Sequence, residues 1–275
     1  MANFNQVFLP ETLTCIIFHP EPARYFCSMK TLLRLLLLPP LILPYLTSSI
    51  AQTSRQVNHQ SQAWFSVNTT ARIADRWAVL LDLHERRTNF LAKSNFDFVR
   101  GGLQYNIDKN FSVALGYGHM WLHPTTPGWK TVSNENRIYQ QVIYKSKIRR
   151  VTLLQRFRNE QRWQQKIAAD KFTGDYRFTN RFRYLLSVTI PVFKNDKLPS
   201  LCVADEILLH MGKDVVYNTF DQNRLFAGIR QKISKDLSFD TGYMIVYQQK
   251  FSGYQYDLNN TFRLFFYYTP VLHKK

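Results

Sequence analysis

The chain has 275 residues, with 36 Lys plus Arg against 19 Asp plus Glu, a net charge of +17. That length fits one large domain or two small ones, and the positive excess points to an anionic partner: nucleic acid, lipopolysaccharide or a phospholipid surface. Past residue 51 no apolar run reaches the roughly 20 residues that a membrane-spanning helix needs, and a single cysteine there, Cys202, excludes an internal disulfide.

Residues 29–51 read as a secretory signal. Lys30 and Arg34 supply a positive start, Leu35 to Leu46 an apolar core broken by Pro39, Pro40 and Pro44, and Ser49-Ile50-Ala51 the small residues before a cleavage point. Cleavage is expected between Ala51 and Gln52. Met29 is then the expected start, residues 1–28 an upstream extension, and residues 52–275 the mature domain. The alternative is a retained amino-terminal segment followed by a buried hairpin.

The mature chain alternates with a period of two, the signature of strands. Trp64 and Ser66 oppose Phe65 and Val67. Trp77, Val79, Leu81 and Leu83 oppose Asp82, His84 and Arg86. Val99, Leu103 and Tyr105 oppose Arg100 and Gln104. Phe111, Val113, Leu115 and Tyr117 oppose Ser112, Ala114, Gly116 and Gly118, where small residues leave room for long neighbours.

Glu135, Arg137, Tyr139 and Gln141 then face away from Ile138, Val142 and Tyr144. Residues 150–190 read as two long strands flanking a polar loop. One parity carries Arg156, Arg158, Glu160 and Arg162, then Arg177, Arg181 and Arg183. The other carries Val151, Leu153 and Phe157, then Phe182, Leu186, Val188 and Ile190.

Glu206 and His210 oppose Val203, Ile207 and Leu209. Asp205 falls on the apolar parity, as it would at a strand end or bulge. Arg224 and Arg230 oppose Leu225 and Ile229. Leu237, Phe239, Tyr243 and Ile245 oppose Asp240. Phe262, Leu264, Phe266 and Tyr268 oppose Arg263.

Eleven strands are readable. Short connections follow strands one, three, five, seven and nine, and longer ones follow the others, which is the outer-membrane habit of short periplasmic turns and longer outer loops. An even barrel needs one strand more, from Thr53 to Gln60. The expectation is an all-β fold: a single antiparallel transmembrane barrel of 10–12 strands, twelve first, with its apolar face on lipid and its charged face on a polar interior.

Several strings resemble a bacterial outer-membrane barrel family catalogued as domain of unknown function 2490 (DUF2490). They include Gln62-Ala-Trp-Phe65 with Ala74-Asp-Arg-Trp77, Asn136-Arg-Ile-Tyr-Gln140, Glu160-Gln-Arg-Trp163, Arg181-Phe-Arg-Tyr184, Asp205-Glu-Ile207 and Asp221-Gln-Asn-Arg-Leu225. The resemblance spans about residues 60–268. It implies a fold and an outer-membrane location in a Gram-negative bacterium, and brings no catalytic residues.

The candidate site is the set of inward charges: Glu135, Arg137, Arg156, Arg158, Glu160, Arg162, Arg177, Arg181, Arg183, Glu206, His210, Arg224, Arg230 and Arg263, with Asp82 and Asp240 as further acids. Small barrels are filled by side chains, so a cross-strand ion-pair network largely plugging the lumen is the first reading. A narrow anion-selective pore is the second.

An outer-membrane lipid hydrolase would need a nucleophile beside a base. His84, His119, His123 and His210 are available, with His210 two steps from Glu206, yet no nucleophile motif accompanies them. A soluble nucleic-acid binder would mix aromatics and cations on one groove, whereas here the two separate by parity. Trp77, Trp121, Trp163, Tyr243 and Tyr268 suit interfacial girdles. Neither a cofactor nor a metal is expected. The expected partners are outer-membrane lipid (phospholipid and lipopolysaccharide) and a small anionic ligand.

Overall fold

Successive side chains in a strand point to opposite faces, so a strand with one greasy and one charged parity must separate two environments. Among the described residues this happens eleven times. The computed structural model describes residues 54–195 and 198–273; the expected signal segment and upstream extension lie outside them.

The strands are β1 (Gln56–Arg72), β2 (Trp77–Thr88), β3 (Lys93–Asn106), β4 (Phe111–Leu122), β5 (Ser133–Ile148), β6 (Val151–Ala168), β7 (Lys171–Pro191), β8 (Ser200–Met211), β9 (Phe220–Lys232), β10 (Leu237–Gln249) and β11 (Gln255–Tyr268). Each pairs antiparallel with its sequence neighbour, and β1 pairs with β11 to close a barrel. Closure leaves no sheet edge without partners.

With an odd number of strands, β1 and β11 run the same way, and the closing seam is parallel, from Gln56↔Gln255 to Thr69↔Tyr268. The count lies within the expected range but below the twelve first expected. Residues Gln56–Gln60 form no separate strand. They continue directly into β1, pairing with β11 where β2 has already ended. No turn separates them from Gln62, so the chain cannot reverse there.

The inside and outside follow the sequence parity. On β7, Arg181 and Arg183 are 4% and 8% exposed, while Tyr184 and Leu186 are 40% and 37% exposed. The outward face of β4 carries Leu115 at 58% and Tyr117 at 51%. Toward the end that holds residues 123–132, the outward face turns polar on β5–β9. Gln140 and Gln161 exchange amide hydrogen bonds of 3.1 and 3.2 Å, and Asn223 donates to Asp205 at 2.7 Å. Asp205 therefore sits mid-strand and partnered on this collar, not at a strand end or a bulge.

Connection lengths depart from simple alternation. Residues 123–132 and 212–219 are long, as expected, but residues 192–199 lengthen the opposite end. The expected polar loop between β6 and β7 is absent. The two strands pair up to Ala168↔Lys171 and turn through Ala169 and Asp170, whose φ angles of 48° and 56° allow a two-residue hairpin. Asp170 also docks the β4–β5 loop, accepting backbone N–H bonds from Lys130 at 2.9 Å and Thr131 at 2.7 Å.

Inside, large and small residues interlock. Tyr139 is fully buried and lies over Gly102 and Gly116, where any added side chain would collide with its ring or hydroxyl. Trp64, Cys202, Ala204, Phe226, Met244 and Val246 form a second inner cluster, with Leu185 and Phe265 against it.

Candidate functional site

Buried charges are tolerated when paired and hydrogen-bonded, and the lumen of β5–β9 meets that condition with three carboxylates. Glu135 on β5 takes Arg162 Nε and Nη2 at 2.7 and 2.8 Å, and also pairs with Arg137. Glu160 on β6 binds Arg181 at 2.5 Å and Arg183 at 2.8 Å, with Arg158 at 3.6 Å. Glu206 on β8 collects Arg156 at 2.8 Å, Arg183 at 2.8 Å and Arg224 at 3.1 Å.

A separate group joins β9, β10 and β11. Asp240 on β10 accepts from Arg230 at 2.9 Å, Arg263 at 3.0 Å and the Tyr267 hydroxyl at 2.7 Å. Arg158 spends its Nε and Nη2 on Gln141 Oε1, at 3.0 and 2.6 Å.

Two expected members behave differently. Arg177 takes no part in these ion pairs. It sits near the rim, donating to the Asp214 carbonyl at 2.8 Å and stacking 3.5 Å from the Phe251 ring, because β7 at that point runs past the end of β8. His210 does not pair with Glu206, whose oxygens are occupied by arginines. Its Nε2 lies 2.8 Å from Arg162 Nη1 and 3.2 Å from Asp221 Oδ2, and its Nδ1 lies 3.4 Å from Asn218.

None of those described polar partners is a hydroxyl or a thiol. His84 packs between Phe98 and Phe265, and His119 and His123 contact Asn136 and Asp97. Among the described residues no group of three His, Cys, Asp or Glu side chains could hold a metal ion.

Asp221, Asp82, Arg100 and Arg86 complete the lumen beyond the candidate set. Asp82 pairs with Arg100 between β2 and β3; alternation puts both on the inner face of their strands. Asp221 lay on the outward parity. A bulge opposite Leu208 and Leu209 inserts it as an extra residue, so Asp221 and Gln222 are both buried, and Asp221 reaches Arg181 at 3.2 Å.

The lumen is not filled throughout. A cavity of about 790 Å³ lies beside the ion pairs and reaches the end where Lys109, Asn110 and Lys145 line it. Eleven arginines line the cavity, against the carboxylates of Asp108 and Glu206.

This fold and charge pattern can be set beside known families. The model of a protein family of unknown function, DUF2490, matches residues 61–268. The chain belongs to that family. The match begins within β1 and ends on the last residue of β11, so the DUF2490 region is the barrel itself. No curated protein matches the chain.

Proposed function

We propose that this DUF2490 barrel spans the outer membrane of a Gram-negative bacterium and binds an anionic ligand in its lumen. The observation that carries the reading is the inversion of polarity, with apolar side chains outside and guanidinium groups within. A water-soluble barrel would bury its apolar parity. In a bilayer the same parity meets hydrocarbon, and the backbone is satisfied by the closed ladder.

Strand length supports it. β2, β4 and β8 have 12 residues each, and a tilted strand needs about 9–11 to cross a bilayer. Trp77 and Tyr105 pack at 4.9 Å near one end of the apolar band, and His119 and Trp121 at 4.6 Å near the other, as interfacial girdles would. The expected signal at residues 29–51 supplies export, and phospholipid and lipopolysaccharide are then the surrounding partners.

The ligand reading rests on the excess of lumen arginine over carboxylate. Fractionation of expressing cells tests location. The expected result is heat-modifiable protein in the outer-membrane fraction, and recovery of folded protein in the soluble fraction overturns it. The open cavity keeps a narrow anion-selective pore as a second reading. Steady anion-selective steps in planar bilayers favour it, and electrically silent folded protein favours closed binding.

A further inference from the structure

The lumen has two unlike walls that meet at Trp64. One is the arginine wall. The other is the apolar cluster of Trp64, Phe226, Met244 and Val246, with Phe265 and Leu185 beside it, and all six residues also line the cavity. A purely ionic lumen would not place these side chains against open space.

Arg86 stands at the junction. It faces the Trp64 ring at 3.3 Å and the Phe96 ring at 4.4 Å. Among the described residues no carboxylate pairs with it, and its Nε is buried without a hydrogen-bond partner. Arg224 approaches the same indole at 5.1 Å; it donates to Gln222 at 2.9 and 2.7 Å and shares Glu206 with two other arginines, which leaves two of its five N–H groups for a ligand. Trp64 is held in place by donating to Gln62 Oε1 at 2.8 Å, and Gln62 donates to Asn259 at 2.9 Å.

A guanidinium group stacked on aromatic rings retains its in-plane donors for an acceptor. A partly buried guanidinium with no carboxylate partner carries a desolvation cost, and an anion placed there offsets it. The cavity volume of about 790 Å³ also falls within the roughly 300–1,000 Å³ usual for ligand pockets.

We infer that the lumen takes a single-chain anionic amphiphile, its carboxylate or phosphate head held by Arg86 and Arg224 and its tail laid over Phe226, Met244, Val246 and Phe265. The inference deepens the anion-binding reading proposed above. The head chemistry is common to fatty acids and lysophospholipids. A bare anion would leave the apolar wall uncovered, and a neutral lipid would leave Arg86 unpaired.

Native mass spectrometry of the full mature barrel, released from neutral detergent, provides the test with four probes: dodecanoate, dodecyl phosphate, dodecanol and inorganic phosphate. The expected result is saturable one-to-one retention of both anionic amphiphiles and loss of dodecanol. The tighter of the two names the head group. Arg86→Gln should weaken retention about tenfold, the worth of a charged hydrogen bond, and Arg86→Lys should restore part of it. Heat-modifiable migration checks that each variant folds.

Retention of dodecanol as tightly as dodecanoate, or an Arg86→Gln variant that folds and binds unchanged, overturns the inference. If inorganic phosphate alone binds as tightly as the amphiphiles, the tail site is wrong but anion binding stands. If none of the four binds, both readings fall.

Discussion

Arg183 reaches diagonally from β7 to Glu206 on β8, placing Nε 3.1 Å and Nη2 2.8 Å from Oε1. The same guanidinium donates from Nη1 to Glu160 at 2.8 Å. One side chain thus joins two of the three carboxylates that organise the lumen. Glu206 also takes hydrogen bonds from Arg156 and Arg224, so three arginines donate to it, whereas two donate to Glu160 and two more ion-pair with it at 3.6 and 3.9 Å.

Glu206→Gln should therefore strongly destabilise the barrel. It leaves three guanidinium groups with reduced compensation, and breaking a buried pair from one side costs about 3–5 kcal/mol. Urea unfolding of the barrel in lipid vesicles measures it. A loss below about 1 kcal/mol would mean that water in the cavity, not Glu206, carries the compensation.

The hairpin tip should respond to acid. The Asp170 carboxylate is held below its usual range by backbone N–H groups of Thr131 and Lys130. A carboxylate whose folded value is depressed stabilises the docked loop above its ordinary pKa, and that contribution fades as pH falls through the lowered value. Hydrogen exchange at the Thr131 amide should accelerate, relative to other amides of the loop, below about pH 4. Asp170→Asn should remove the pH dependence.

Tyr139 and Gly116 make a paired prediction. Gly116→Val presses its Cβ on the Gly101 carbonyl and its methyl groups on the Tyr139 ring; overpacking of this kind costs about 1–3 kcal/mol, and the part against the backbone carbonyl stays whatever stands at 139. Adding Tyr139→Ala should recover part of the loss, which a double-mutant cycle reads directly. Strict additivity would show that the two do not compete for the space.

Leu81 is outward and 46% exposed. If that face meets hydrocarbon, Leu81→Arg should lower folding stability in vesicles by about 2–4 kcal/mol, the penalty for Arg at the bilayer midplane. At a water-exposed site the same change would stay within about 0.5 kcal/mol.

The faces of the barrel were legible because alternation is a local property. Arg181 and Tyr184, or Glu206 and Ile207, declare opposite sides within one strand. What needed the structure was anything that breaks the count. Asp221 looked outward until the bulge beside Leu208 turned it in. An even barrel asks for a further strand over Thr53–Gln60; Gln56–Gln60 instead belong to β1 and pair with β11, some 200 residues away in the sequence.

The candidate site was likewise legible as a set but not as pairs. Glu206 and His210 are neighbours by parity, yet arginines from β6, β7 and β9 compete for Glu206 and win it. Parity puts Arg177 on the inward face, but the lengths of β6 and β7 carry it toward the rim. Arg86 was placed on the inner face, and only the three-dimensional arrangement exposed its lack of a carboxylate.

The central claim, that the outward parity lies in hydrocarbon, is tested most directly by an environment-sensitive NBD label on Leu115→Cys in a Cys202→Ser background. The account predicts blue-shifted emission in lipid vesicles, quenched by spin labels on the acyl chains and untouched by aqueous iodide. Red-shifted emission, quenched by iodide and blind to the acyl-chain labels, would contradict it.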